Sequence, residues 1–325
     1  MKAHILEFIE PSLLRLESWV KAIAADVPVE TDWAQASFGS WYNEPRQHGL
    51  ELLFLASFWG FATYIMFCRL LRPGTNNYKL LTEFQVPCRA SLTERGMTLS
   101  LICSLLLTLT HKIIRNRVWF MMQPCHMSGV LLLFTLVYPN KRSPIPHIFF
   151  NIYLHLQWGA LAALAFPDLR EHTMIGETFN FFAGKFLDGR DLTHGANVKS
   201  EHILLLVVPV YMIYSRRYVV LPKSREILLL SFFSYSFFHT PLLHLISLIS
   251  GYNLNYMWAP PPIKFLLDLG PLYRIVMFGA AFVFKFVTRF IFVETALTLM
   301  PRKKLSSNEK TTTINPNLLK KSKKI

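Results

Sequence analysis

Apolar windows close to or above about 18 residues recur along the chain, which is the length a helix rising about 1.5 Å per residue needs to cross a hydrocarbon core of about 30 Å. We read seven such spans, at 48–70, 97–114, 118–138, 145–166, 202–218, 227–250 and 272–297. No other feature constrains the fold as strongly. Lipid offers no partner to a backbone N–H or C=O, so spanning segments must satisfy their own hydrogen bonds as helices and pack side by side. The expected fold is therefore all-α: a polytopic helical bundle of about seven transmembrane helices. Composition agrees, since 52% of the 325 residues are hydrophobic and 17% charged, too apolar for an ordinary soluble domain.

The formal charge of +14 raises the question of nucleic acid. In a multispan chain a basic excess instead marks the cytoplasmic side of the helix ends. The tail after residue 300 carries Arg302, Lys303, Lys304, Lys310, Lys320, Lys321, Lys323 and Lys324, whereas seven acids face four bases ahead of the first span. This places the tail in the cytoplasm and the N-terminus outside or in a lumen. Three loops follow the rule, and the one with Lys112, Arg115 and Arg117 dissents. The expected organisation is an extramembrane segment 1–44, one transmembrane domain 45–300 and a disordered basic tail 301–325. The first 20 residues scatter charges among apolar positions, unlike a secretory signal peptide.

Four cysteines, Cys68, Cys88, Cys103 and Cys125, lie in or beside spans without CxxC pairing, so neither a disulfide framework nor a zinc site is indicated, and no cofactor is expected. Cys68 and Cys88 are candidates for acylation near the inner face, against the plainer reading of small buried or surface thiols. Residues 167–201 form the long connection, expected on the lumenal side as either a lid or an insertion.

The polar chemistry concentrates in WFMMQPCHMSG at 119–129, where Gln123, Pro124, Cys125, His126 and Ser128 fall within six positions of an apolar span. A buried polar group must find a partner or cost free energy, so the cluster is either wrapped by other helices or functional. Pro124 is expected to kink the third span by displacing the Phe120 carbonyl. A thiol in an apolar site is a poor nucleophile without a base. His126 points about 100° away from Cys125 on a helix, so the base is sought elsewhere, among His155, His202, His239 and His244. His202 is expected at a helix start and at a depth near that of Cys125, where the dipole disfavours imidazolium. The plain alternative for each histidine is a bond to neighbouring backbone, and for Cys125 it is packing. Asn253 and Asn255, in the interfacial run NLNYMWAPPP at 253–262, are candidates with Gln123 for binding an oxyanion or a lipid headgroup.

Together QPCHMSG at 123–129, SEHILLLVVPVY at 200–211 and NLNYMWAPPP at 253–262 resemble the transmembrane protein 164 family, over about residues 44–301. The resemblance implies a membrane acyltransferase with a cysteine nucleophile. It would move a polyunsaturated, arachidonoyl-type chain from phosphatidylcholine to a lyso ether phosphatidylethanolamine without acyl-CoA. The family's nucleophile matches Cys125 and its essential histidine matches His202, while 167–200 is longer than the family's loop. The implied partners are these phospholipids and the membrane, with no nucleic acid, and the implied location is an endomembrane, the endoplasmic reticulum first. Two rivals stand beside it. One is a seven-span receptor or transporter whose polar residues line a ligand path, although the rhodopsin-type motifs and a repeat of broken helices are missing from the sequence. The other is a lipid hydrolase using the same cysteine.

Overall fold

The computed structural model describes residues 2–24, 41–84, 90–165, 196–261 and 263–299. Every regular element among them is helical. Four helical stretches are long and apolar enough to cross a membrane: Pro45–Leu70, Leu92–Ile114, Arg225–Ser250 and Gly270–Leu299. The first is α2 and the second α4; α1 is Lys2–Ile23 and α3 is Asn76–Thr82. The remaining apolar helices are shorter: α5 at Pro124–Val137, α6 at Pro144–Leu154, α7 at Trp158–Ala165 and α8 at Ala196–Ser215. The described residues thus give an all-α membrane bundle with four full-length crossings and three expected spans that are short or broken. The tail, Cys88, and positions 166–195 of the long connection lie outside the described residues.

Local chemistry sets the helix starts. Thr75, Ser91 and Ser224 each accept a backbone N–H from three residues ahead, at Tyr78, Glu94 and Ile227, which satisfies one of the donors that a first turn leaves open. Three starts, at Pro45, Pro124 and Pro144, use proline at the first helical position, where a missing N–H costs nothing. Pro144 follows Ser143, and Pro124 follows Gln123. The latter corrects the expected kink. Residues Val118–Met122 make a tight 3₁₀ turn, Gln123 is extended (φ −57°, ψ 141°), and the helix begins at Pro124. With its carbonyl partner outside the helix, the proline has nothing to displace.

Three further interruptions occur inside expected spans. The α6–α7 pair turns through His155–Gln157. Arg225–Ser250 divides into α9 (Arg225–Phe237) and α10 (His244–Ser250) around Thr240 (φ −132°, ψ 99°), immediately before Pro241. After the short α11 (Lys264–Asp268), the last crossing divides into α12 (Tyr273–Val287) and α13 (Glu294–Leu299) through a widened turn at Thr288–Val293. The first and third carry no proline at the break and have no local signal.

Pro209 lies within α8 and removes the N–H that would serve the Leu205 carbonyl. Tyr153 supplies the replacement, donating its hydroxyl to that carbonyl at 2.5 Å. Both residues are buried in the main apolar cluster with Leu105, Leu132 and Met212. On the opposite side of α6, Asn151 stitches the 216–224 connection to the bundle by donating to Val219 O at 2.7 Å and accepting from Leu221 N at 2.8 Å. Beside it Glu94 accepts from Arg217 at 2.6 Å, with both side chains buried. Arg217, in the connection between α8 and α9, is thus an interior ion-pair partner.

Tyr153→Phe, which strands a buried carbonyl, is expected to cost about 1–3 kcal/mol. Arg217→Met, which leaves the Glu94 carboxylate uncompensated, is expected to cost about 3–5 kcal/mol. Thermal unfolding of the purified variants in detergent measures both, and wild-type Tm values would contradict these roles.

Candidate functional site

Cys125 is the second residue of α5, so its surroundings are those of a helix N-terminus rather than a helix middle. Proline at the preceding position contributes no N–H, and the Met127 amide already bonds Gln123 O at 3.0 Å. The amides of Cys125 and His126 remain at the first turn, beside the thiol. Open first-turn N–H groups favour negative charge at a helix start. Ser128 Oγ donates to Cys125 O at 2.7 Å and pins the turn. The cysteine itself is partly exposed.

One turn below, Gly129 lets α5 approach its neighbours. A Cβ there would lie 3.2 Å from Leu105 Cδ2 on α4 and 3.5 Å from Leu205 Cδ2 on α8. Small residues at such crossings are how membrane helices reach close contact. The consequence is that the α8 residues above Leu205 face the start of α5. His126, turned away from its neighbour's sulfur as helix geometry requires, meets the Glu201 carboxylate through Nδ1 at 2.8 Å. The other carboxylate oxygen accepts from Thr108 Oγ1 on α4 at 3.0 Å.

Glu201 is the pivot of the site. It lies within Coulombic reach of His126 and His202 and of Cys125, which also feels Lys112. Glu201, His126 and His202 are each no more than 6% exposed. His202 does not sit at a helix start, as expected from the sequence. The helix begins at Ala196, and the dipole effect fades within a turn, so the helix start does not set the charge of this imidazole. The roof is the 251–261 segment: Tyr252 packs on Phe120 with ring centroids 5.0 Å apart, and Leu254 and Met257 join Phe120 in one apolar cluster.

The other candidates fall into separate networks. Asn253 organises its own loop, accepting from Trp258 N at 2.8 Å and Ala259 N at 3.1 Å and donating to Ala259 O. Asn255 bonds His239 Nε2 at 2.7 Å, while His239 Nδ1 donates to Tyr235 O. His244 meets His48 at 2.7 Å beside Arg274, whose guanidinium bonds Glu51 and the Met257 carbonyl. His155 Nδ1 donates to Asn151 O. The structure therefore joins His126 to Glu201, with Cys125 next to His126 and His202 next to Glu201 in the chain, and uses Asn253, Asn255, His239, His244 and His155 elsewhere. Gln123 stays at the site as the residue before Pro124. Glu201, Thr108 and Lys112 are members that sequence reasoning missed. The available signal was an acid at the mouth of an apolar run, beside a histidine.

Among the described residues no group of three or more His, Cys, Asp or Glu is placed to hold a metal ion. Fold and site together define a membrane-spanning helical protein in which a partly exposed thiol adjoins a buried imidazole–carboxylate pair. The chain belongs to the TMEM164 family, which it matches over residues 45–292. It is 26% identical over 228 residues to the Transmembrane protein 164 homolog of Dictyostelium discoideum, covering 69% of this chain and 74% of that one. No solved structure matches it.

In a double-mutant cycle, His126→Gln and Glu201→Gln are each expected to destabilise the protein, with the double variant costing less than their sum by about 0.5–3 kcal/mol. Denaturation in detergent reads this coupling. Strict additivity would remove the His126–Glu201 hydrogen bond as a connection between α5 and α8.

Proposed function

We propose that the protein is a membrane-embedded phospholipid acyltransferase with Cys125 as nucleophile and His202 as base. It would transfer a polyunsaturated, arachidonoyl-type acyl chain from phosphatidylcholine to a lyso ether phosphatidylethanolamine without acyl-CoA. One observation carries the reading: a thiol on the first turn of α5 adjoins a buried His126–Glu201 pair, with a second imidazole, His202, next to that carboxylate in the chain.

The chemistry needs only these parts. His202 takes the thiol proton as sulfur attacks the donor's ester carbonyl, and the amides of Cys125 and His126 stabilise the oxyanion that forms. Collapse breaks the ester C–O bond, and the leaving lysophospholipid oxygen takes the proton from His202, leaving a thioester. The acceptor hydroxyl then gives its proton to His202 and attacks the thioester, and the same proton returns to sulfur as the thiolate leaves. Glu201 stabilises the imidazolium in both halves, and its bond to His126 fixes its position. Exclusion of water favours transfer over hydrolysis, and a pocket in the bundle receives lipid laterally. The resemblance to the family supports the donor and acceptor, and the polarity of the pocket supports the chemistry.

The test is transfer from labelled phosphatidylcholine to lyso ether phosphatidylethanolamine by purified protein in vesicles. Cys125→Ser and His202→Gln are each expected to lower the rate by at least about 100-fold, and Glu201→Gln by a smaller factor. A cysteine-reactive acyl probe should label the wild type and spare Cys125→Ser. Undiminished transfer by the serine variant would end the thioester route, and free fatty acid as sole product would make the protein a hydrolase.

A further inference from the structure

A second polar cluster uses none of Cys125, His126, Glu201 and His202. Lys285 stands midway along Gly270–Leu299 and His239 midway along Arg225–Ser250, each about 20 Å from the helix ends by helix rise. His155 and Gln157 occupy the break between α6 and α7. Lys285 is fully buried, and its ammonium lies 4.0 Å from the centre of the Tyr235 ring. Its charge reaches both His155 and His239.

The accounting of partners is unusual here. Lys285 Nζ has no hydrogen-bond partner among the described residues, and neither do His155 Nε2, Gln157 Oε1 or Trp158 Nε1. Trp158 flanks the same Tyr235 ring at 6.0 Å and stacks on Phe284, the neighbour of Lys285. An ionisable side chain at mid-membrane without a counter-charge is costly, and such residues mark ligand or ion sites. The other buried cations near helix breaks are compensated: Arg289 pairs with Glu294 and donates to Leu221 O, and Arg274 pairs with Glu51.

Beside this cluster an apolar groove of about 680 Å³ opens toward the lipid, lined by Leu161, Val210, Val287, Thr288, Ile291 and Phe292 among others. None of the cluster's polar residues lines the groove itself, but Val287 and Thr288 follow Lys285 within a turn and Leu161 follows Gln157 by four positions, so the groove begins about one helical turn from the cluster. It continues along the last helix to Leu299. The volume falls in the range of small-molecule sites, about 300–1,000 Å³.

We propose that this is a binding site for one long-chain fatty acid, its carboxylate held by Lys285 and the indole N–H of Trp158 and its chain lying in the groove. A single cation calls for a monoanion with a small head, whereas a phospholipid phosphate belongs at the membrane surface, far from this depth. The proposal does not depend on Cys125 or on acyl transfer.

The full-length protein in lipid nanodiscs is to be labelled with a diazirine-bearing C18 fatty acid and, separately, with its methyl ester. The acid is expected to crosslink within 284–299 and to be competed by oleic acid, while the ester labels weakly and without competition. Lys285→Met should weaken competition by about 30-fold, the loss expected when one partner of a buried charged pair is removed. Equal, uncompeted labelling by acid and ester, crosslinks confined to other helices, or undiminished competition in Lys285→Met would each overturn the site. Should that variant fail to fold, the comparison of acid with ester on the wild type decides.

Discussion

Every break in a helix of this bundle releases backbone groups that hydrocarbon cannot satisfy, and each must be met from within. The consequences run through the whole protein. The Tyr153 hydroxyl covers the carbonyl that Pro209 leaves open on α8, and Lys141 donates to the Thr135 and Leu136 carbonyls at the end of α5. Asn151 acts as a piece of backbone for the 219–221 stretch. Because these partners come from neighbouring helices, satisfying a break also fixes how the helices pack. Polar side chains in this membrane domain serve first as joints.

The candidate site follows from the same constraint. A helix that begins inside the bundle exposes first-turn amides, and in α5 the side chain placed on that turn is a thiol. The Glu201 carboxylate would be untenable alone at this burial, and it is compensated by His126 and Thr108 on two different helices. Holding the acid in place therefore holds α4, α5 and α8 together at the level of Cys125. Stability and chemistry share one set of bonds, so a change at Glu201 acts on both.

Much of this was legible beforehand, and particular residues explain why. Apolar length alone announces α2, α4, α9–α10 and α12–α13, because bilayer thickness is a fixed ruler. Cys125 stood out as a thiol among polar neighbours, and His126 as unsuited to face it. The role of Pro124 was misread because a proline within an apolar run can kink a helix or begin one, and the difference depends on whether the preceding turn is helical. His202 was placed at a helix start for a similar reason: the apolar run begins there, but α8 begins six residues earlier with polar residues. Asn253 and Asn255 looked like headgroup ligands and are engaged by their own loop and by His239.

The sequence by itself determined that the chain lives in a membrane as helices, since hydrophobic length and the absence of backbone partners in lipid leave no other solution. It also determined which residues carry reactive atoms. Only tertiary structure decided which of those atoms meet. Glu201 becomes the centre of one site because Gly129 lets α8 close on α5, and Lys285 becomes the centre of another because breaks in three separate helices coincide in depth. Such encounters depend on distances between segments far apart in the chain, and no local pattern encodes them.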